Sequence, residues 1–137
     1  MSDFLKSIST AAQGLRAQSG RMRIISENIA NAGTTPSRAG ETPYRRKIAV
    51  FEPRFDPATG ERGVALTRIR RDRAEFGQRH EPGHPAADAA GFVKTPNVDS
   101  LVEQMDMREA QRSYEANVSV ITAARRMIAR TLDILKV

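Results

Sequence analysis

The residues with the most obvious capacity for chemistry are His80, Glu81 and His84, which match the H-E-x-x-H spacing of zinc proteases. That spacing works on a helix, because one helical face then carries both imidazoles with the glutamate beside them. Here the two spacing residues are Pro82 and Gly83, and a proline follows both Glu81 and His84, which disfavours helical backbone. We therefore expect a turn with surface or packing histidines rather than a zinc site.

Other kinds of reactive site are poorly represented. The chain has no cysteine, which excludes a disulfide framework, a thiolate metal site and a cysteine nucleophile. Both histidines lie in one stretch, so no Ser-His-Asp arrangement can be assembled with confidence, and glycine-rich phosphate-binding loops are absent. We expect no catalytic residue, no metal and no cofactor, and we interpret the chain as a protein that is not an enzyme.

Positive charge is concentrated in the middle of the chain. The formal net charge is +6, and residues 34–96 carry twelve bases and eight acids. The densest basic run, residues 68–73, suits phosphates, but single-strand binding usually adds aromatic platforms and only Phe76 is near. A solvated strand end and a salt-bridged subunit contact are the alternatives. A small basic nucleic-acid-binding protein is therefore the second hypothesis for function.

The first 33 residues predict one long amphipathic helix. Their apolar side chains recur every seven positions, which keeps a narrow seam on one face and is typical of a helix lying along another helix. Several serines, threonines and glycines weaken the isolated helix, so a partner is needed to hold it. The helix is predicted to close where Asn31 and Gly33 can adopt left-handed backbone, before Pro36, which cannot continue a helix.

The middle of the chain, residues 34–96, predicts a small β unit. Residues 44–51 alternate as a strand with Tyr44, Ile48 and Val50 on one face, residues 53–63 form a turn region, and residues 64–71 suit a second strand. A hairpin is expected, and it must pack against another element because two strands alone are marginally stable. Residues 80–97 are expected to be an extended connector that packs on the hairpin through Phe92 and Val93.

A second long helix is predicted over residues 97–137. Asn97 and Asp99 are possible caps, and Ser100 with Glu103 has the spacing of a capping box. Apolar residues again recur every seven positions, and Asn117 lies within this seam, where it either fixes register or faces solvent. The predicted fold class is therefore α with a small β part: long N- and C-terminal helices that pack as a coiled-coil-like pair in an assembly, with a short β-hairpin and loop insert between them.

The two seams have two possible partners: each other, as an antiparallel pair in one molecule, or equivalent helices of neighbouring copies. We favour assembly, because two helices bury only one seam between them and the β insert offers little cover. The predicted assembly interface consists of Phe4, Ile8, Leu15, Met22, Ile25, Asn28, Ile29, Asn31, Met107, Tyr114, Asn117, Val118, Ile121, Ile128, Leu132 and Leu135.

Three separated motifs resemble the bacterial flagellar rod and hook axial proteins. The first is S-E-N-I-A-N at residues 26–31 with T-P at 35–36 and Y-R-R-K at 44–47, and the third is S-Y-E-A-N at 113–117. The second, between residues 82 and 98, resembles the proximal-rod members of the family. The matching loop residues are Thr35, Pro36, Tyr44, Pro82, Gly83, His84, Pro85, Asp88, Gly91, Pro96 and Asn97.

The resemblance implies a structural subunit of the proximal rod of the flagellar basal body, which transmits torque across the periplasm. It implies an N-terminal axial helix (1–33), a central insert (34–96) outside the tube and a C-terminal axial helix (97–137). Implied partners are copies of the chain, other rod proteins, basal-body ring and rod-adapter proteins and the flagellar type III export apparatus, with no nucleic acid. Since the sequence shows no signal-peptide core and no stretch long enough to span a membrane, we expect export without a cleaved signal peptide.

Overall fold

A computed structural model describes residues 2–58 and 60–136. Two long helices enclose a small β-rich insert in the sequence, which confirms the predicted fold class of α with a small β part. Neither helix in the described part of the chain is long and apolar enough to cross a membrane. The elements are α1 (Ser2–Asn31), β1 (Lys47–Asp56), β2 (Glu61–Arg71), β3 (Gly77–His80), β4 (Phe92–Thr95) and α2 (Ser100–Leu135).

The four strands form two separate two-stranded sheets. β1 pairs with β2, as the predicted hairpin requires, but β1 begins at Lys47 rather than Tyr44 and continues through Pro53, so the turn is shorter than predicted. Proline is tolerated because each strand of a two-stranded sheet has one unpaired edge, where a missing N–H costs no ladder bond. At the turn, the Gly60 N–H donates to the carbonyl of Asp56, and Gly60 has a positive φ of 68°.

The second sheet lies where an extended connector was predicted. β3 and β4 are antiparallel, with Gly77 opposite Thr95 and His80 opposite Phe92. Val93 is fully buried, whereas Phe92 is 39% exposed and its ring contacts His80 edge-on. The connector prediction was wrong because the prolines exclude a helix but leave room for two short paired strands on either side of the loop.

Helix α1 does not end in the predicted way. Among the described residues, positive φ angles occur only at three other glycines, so neither Asn31 nor Gly33 adopts left-handed backbone. Instead, the side-chain amide of Asn31 donates to the Glu27 carbonyl at 2.8 Å, and both the N–H and the hydroxyl of Thr34 donate to the Asn31 carbonyl. Local side-chain bonds therefore satisfy the last carbonyls of α1.

Helix α2 begins at an aspartate cap. The Asp99 carboxylate accepts the backbone N–H groups of Leu101 at 2.9 Å and Val102 at 3.4 Å. The predicted capping box of Ser100 and Glu103 is wrong, because the Glu103 carboxylate is fully buried in other contacts. Asn97 is not a cap either, since its amide bonds to backbone groups of the preceding segments.

The chain divides into two compact units, which contain Met1–Met22, Val50–Arg68 and Arg108–Val137 (first unit) and Arg23–Ala49 and Ile69–Met107 (second unit). Within the first unit α1 and α2 are antiparallel: Gly14 faces Asn117, and Arg21 pairs with Glu109 at 3.2 Å. The first unit thus contains the antiparallel pair of helices, which was one of the two alternatives for the apolar seams. Its buried apolar side chains are all small: Ala11, Ala17, Ala110 and Ala124.

The second unit has a different interior. Ile24, Ile25, Ala86 and Val93 are its buried apolar residues, and two polar side chains, Asn28 and Glu103, are fully buried with them. Buried polar groups are costly unless hydrogen-bonded, so their partners decide whether this interior is stable.

Candidate assembly site

The side-chain amide of Asn28 lies at the centre of the second unit. Its nitrogen donates to the Lys47 carbonyl at 2.8 Å and to a Glu103 carboxylate oxygen at 3.0 Å. Its oxygen accepts the Lys47 backbone N–H and the Tyr44 hydroxyl, both at 2.9 Å. An amide has two donor and two acceptor positions, so every hydrogen-bonding capacity of this buried side chain is used. Asn28 therefore ties α1 to the start of β1 and the start of α2.

Glu103 extends this network to Arg46. Its second carboxylate oxygen accepts a hydrogen bond from Arg46 Nε, and the Glu103 side chain is 1% exposed against 22% for Arg46. Burial disfavours the Arg46 charge, but the hydrogen bond and charge of Glu103, followed by those of Asp72, outweigh it and raise the Arg46 pKa above its usual value. The guanidinium also reaches Asp106 at 3.4 Å. The buried carboxylate is therefore paired with a cation on a neighbouring segment.

The backbone of the segment before β1 is held on its other side. Arg46 N–H donates to the Asn97 side-chain oxygen at 2.7 Å, and the Asp72 N–H donates to the Arg46 carbonyl at 2.8 Å. Asn97 in turn donates to the carbonyls of Asp72 and Ala74, which also accept bonds from Arg45. The Arg45 guanidinium lies 4.1 Å from the centre of the Phe76 ring. These contacts hold the four-residue motif 44–47 against residues 72–76 and against Asn97.

Tyr44 lies beside two carboxylates of this network. Burial, followed by the charges of Glu27 and Glu103, raises its pKa from 10.0 to about 12, and the charge of Arg71 acts in the opposite direction. Glu27 also forms an ion pair with the Lys47 ammonium group. Tyr44 therefore keeps its proton well above neutral pH and remains a hydrogen-bond donor to Asn28.

The histidine motif lies on a strand end and a loop. His84 Nδ1 accepts the Ala86 N–H at 3.0 Å, so the neutral ring carries its proton on Nε2, which donates to the Thr35 hydroxyl at 3.1 Å. His80 is the last residue of β3 and is exposed. No group of three or more His, Cys, Asp or Glu side chains suited to a metal occurs among the described residues. His84 thus has the expected place in a turn as a packing histidine, whereas His80 is a surface residue on a strand.

The rest of the motif loop is ordered by Asp88. Its carboxylate accepts the N–H groups of Ala90 and Phe92, both at 2.9 Å. Gly91 is buried with φ of 81°, and a β-carbon there would lie 3.1 Å from atoms of His80 and Pro82, so glycine is required. Of the remaining predicted loop residues, Pro36 and Pro96 are buried, whereas Pro82, Gly83 and Pro85 are exposed.

The predicted assembly residues fall into three groups by exposure. Ile25 and Asn28 are buried within the second unit, and Val118, Leu132 and Leu135 are exposed by 42%, 43% and 70%. The others are half-buried: Phe4, Ile8, Leu15, Met22, Ile29, Asn31, Met107, Tyr114, Asn117, Ile121 and Ile128. Most of the predicted seam is thus partly covered within the chain.

A second apolar stripe on α2 was missed by the sequence analysis. Val120, Met127 and Ile134 are seven residues apart, share one helical face in the first unit, and are exposed by 46%, 45% and 74%. In the second unit, the first turns of α2 expose Leu101 by 68% and Met105 by 63%. Large apolar side chains that stay in water at regular helical spacing mark a surface that another helix can cover. We call Val120, Met127 and Ile134 the outer stripe.

The importance of Arg46 and Glu103 was also missed. Arg46 lies in the basic start of a predicted strand and Glu103 lies in a predicted capping box, and each pattern already explains its residue. No local spacing links the two residues, because they are 57 positions apart. Two features of the sequence could have indicated this network: Asn28 lies in an apolar seam, and the first turn of the second helix contains the polar residue Glu103.

Comparison with known proteins places these features in a family. Residues 8–36 match the model of the flagella basal body rod protein, and residues 89–134 match the C-terminal model of the flagellar basal body rod FlgEFG proteins. These two segments contain Asn28 and Glu103, respectively.

Whole-length relatives agree with both domain models. The flagellar basal-body rod protein FlgC of Agrobacterium fabrum is 48% identical over 92% of this chain and 91% of its own length. The FlgC proteins of Escherichia coli and Bacillus subtilis are 38% and 34% identical, over 90% and 95% of this chain and 92% and 97% of their own lengths. This chain therefore belongs to the FlgC family of flagellar basal-body rod proteins.

Proposed function

We propose that the chain is a non-enzymatic building block of the proximal rod, which joins copies of itself and other rod proteins through its two terminal helices. The observation that carries this proposal is the outer stripe, because Val120, Met127 and Ile134 remain exposed by 46%, 45% and 74% among the described residues. Burial of such side chains between helices is worth about 1.5–3 kcal/mol for each one fully covered. A neighbouring helix supplies that cover in an assembled rod.

The half-buried seam has a complementary role in this proposal. Residues such as Leu15, Tyr114 and Ile121 are partly covered in the chain itself, so each still has apolar surface to offer to a neighbour. The seam and the outer stripe together would give each subunit two contact faces. Two faces are the minimum for a structure that continues from one subunit to the next.

The family assignment also supports a proposal for export and location. We propose that the chain passes unfolded through the flagellar type III export apparatus, without a cleaved signal peptide, and joins the rod within the periplasm, next to ring and rod-adapter proteins. The alanine interior of the first unit supports this route. Alanine buries little apolar surface, so the helix pair is weakly held until neighbours add to it.

The test is replacement of the outer stripe in the bacterium by Val120→Gln, Met127→Gln and Ile134→Gln. We expect the variant protein to be exported but absent from purified basal bodies, with loss of swimming. The matched control changes Thr122, Ala129 and Asp133 to glutamine, since all three are exposed on a different face of α2. Normal basal bodies containing the stripe variant, or equal defects in both variants, would contradict the proposal.

A further inference from the structure

An open groove of about 800 Å³ in the second unit is lined mainly by arginine. Its residues are Arg45, Ile69, Arg70, Arg71 and Arg73, and we call it the arginine groove. It contains most of the basic run that the sequence singled out and that the rod contacts described above do not use. The groove begins on the last residues of β2 and continues into the segment after it.

The arginines of this groove differ sharply in their contacts. Arg45 is a structural residue, because its guanidinium donates to the carbonyls of Asp72 and Ala74 and lies over Phe76. Arg70, Arg71 and Arg73 are exposed, and within the described residues their side chains form no salt bridge or side-chain hydrogen bond. Asp72, which lies between Arg71 and Arg73 in the sequence, pairs with Arg46 instead. Three neighbouring cations therefore create a positive potential that favours a negatively charged partner.

We propose that the arginine groove binds an extended acidic segment of a partner protein, one that alternates carboxylate and apolar side chains. Three exposed guanidinium groups offer planar, bidentate hydrogen bonding to carboxylates, which lysine does not provide. Ile69 lies among them and is 53% exposed, so the groove also offers an apolar contact. The same groove on a second copy is a poor occupant, because two clusters of arginine repel each other.

Two other polyanions fit the groove less well. Nucleic acid bound as a single strand uses aromatic stacking platforms, but none of the five described lining residues is aromatic, and the nearby Phe76 ring already lies under the Arg45 guanidinium. An anionic membrane surface favours a basic amphipathic helix, whereas this cluster lies on a strand end and the loop after it. Binding of an acidic peptide does not depend on rod assembly, so the isolated chain can be tested.

The experiment measures binding of the full-length chain to labelled probes by fluorescence anisotropy at low and at physiological salt. The probes are an alternating Glu-Leu peptide, a poly-glutamate peptide of equal charge, single-stranded DNA of equal charge and phosphatidylglycerol vesicles. We expect the alternating peptide to bind most tightly. Replacing Arg70, Arg71 and Arg73 by glutamine should weaken its binding at least ten-fold, with unchanged circular dichroism.

The matched control changes Arg125, Arg126 and Arg130 of α2 to glutamine, which removes the same charge from other exposed positions. We expect this variant to bind the alternating peptide within two-fold of the unmodified chain. In addition, Ile69→Ser should abolish the preference for the alternating peptide over poly-glutamate. Equal loss in both arginine variants, or tighter binding of DNA or vesicles than of the alternating peptide, would overturn the proposal.

Discussion

The side-chain amide of Asn28 and the carboxylate of Glu103 form a buried hydrogen bond of 3.0 Å between residues 75 positions apart in the sequence. Both side chains are fully buried; Lys47 and Tyr44 use the remaining positions of the amide, and Arg46 bonds the second oxygen of the carboxylate. A buried polar network of this kind is stabilising only when it is complete, because one missing member leaves several groups without partners. The network therefore specifies how the end of α1, the start of β1 and the start of α2 meet.

Asn28→Ala should destabilise the chain by at least about 2 kcal/mol, because it removes the partner of both Lys47 backbone groups and of one buried Glu103 carboxylate oxygen. Urea unfolding followed by far-UV circular dichroism measures the change. The matched control is Asn117→Ala, whose amide is half-buried and, within the described part of the chain, donates to the Ser113 carbonyl alone. We expect the control to change stability by less than about 1 kcal/mol. Similar losses in the two variants would contradict the central role given to Asn28.

Arg46→Ala should be among the most damaging single substitutions, because it leaves the fully buried Glu103 carboxylate without its cation. Breaking a buried pair from one side costs about 3–5 kcal/mol. Adding Glu103→Gln to Arg46→Ala removes the stranded charge, so the double variant should be more stable than Arg46→Ala alone. The double-mutant cycle by urea unfolding measures this coupling, and a double variant that is less stable than Arg46→Ala would exclude it. Arg112→Ala, at an exposed position of α2, is the neutral control.

Gly14→Ala should stabilise the helix pair of the first unit less than Gly20→Ala does. Alanine raises intrinsic helix propensity by about 1 kcal/mol, but its β-carbon would lie 2.9 Å from the Asn117 side-chain amide. That amide must move and give up its hydrogen bond to the Ser113 carbonyl, so much of the gain in helix propensity is lost. Gly20→Ala is the control in the same helix, since its β-carbon would make an ordinary 3.6 Å contact with Leu66 and should stabilise.

The Gly14 effect should also depend on Asn117. In a background with Asn117→Ala, the contact disappears and Gly14→Ala should stabilise the chain as much as Gly20→Ala does. Thermal unfolding of the four combinations of Gly14→Ala and Asn117→Ala measures this difference. If Gly14→Ala stabilised the chain equally in both backgrounds, the close approach of α1 and α2 at this position would be wrong.

The raised pKa of Tyr44 predicts that the folded chain loses stability at high pH. Its pKa is about 12 in the folded chain and 10.0 in the ordinary state, so the folded state holds a proton that the unfolded state has released between these values. Stability from this group is therefore complete below pH 10 and is lost as the pH rises towards 12. The chain has two tyrosines and no tryptophan, so ultraviolet titration of a Tyr114→Phe variant reports Tyr44 alone. A midpoint near 10 in the folded variant would show that burial and the two carboxylates do not act on it.

The helices were the part of the fold most accessible from sequence, because seven-residue periodicity extends over many turns. The hairpin was also predicted, but the second sheet was not, since four-residue strands separated by a proline-rich loop carry almost no periodic signal. The end of α1 was misjudged because side-chain bonds from Asn31 and Thr34 replace the left-handed residue that local rules favour.

The candidate site was predictable only in part. The heptad series of α2 that begins at Met107 is apolar throughout, so the sequence predicts it as the seam, and its members from Met107 to Ile128 are half-buried whereas Leu135 is exposed. The heptad series that contains the outer stripe has Asp106 and Ser113 before Val120. Because these polar residues interrupt it, the series is not recognisable as an apolar seam from the sequence. The Arg46–Glu103 pair depends on tertiary contact between segments far apart in sequence, which no local pattern encodes.

The measurement that tests the central claim most directly is a cryo-electron reconstruction of the native basal body with this chain traced. We predict that Val120, Met127 and Ile134, exposed in the free chain, are covered by a helix of a neighbouring subunit. A rod in which these three side chains still face solvent, or in which the chain does not occur, would contradict the account.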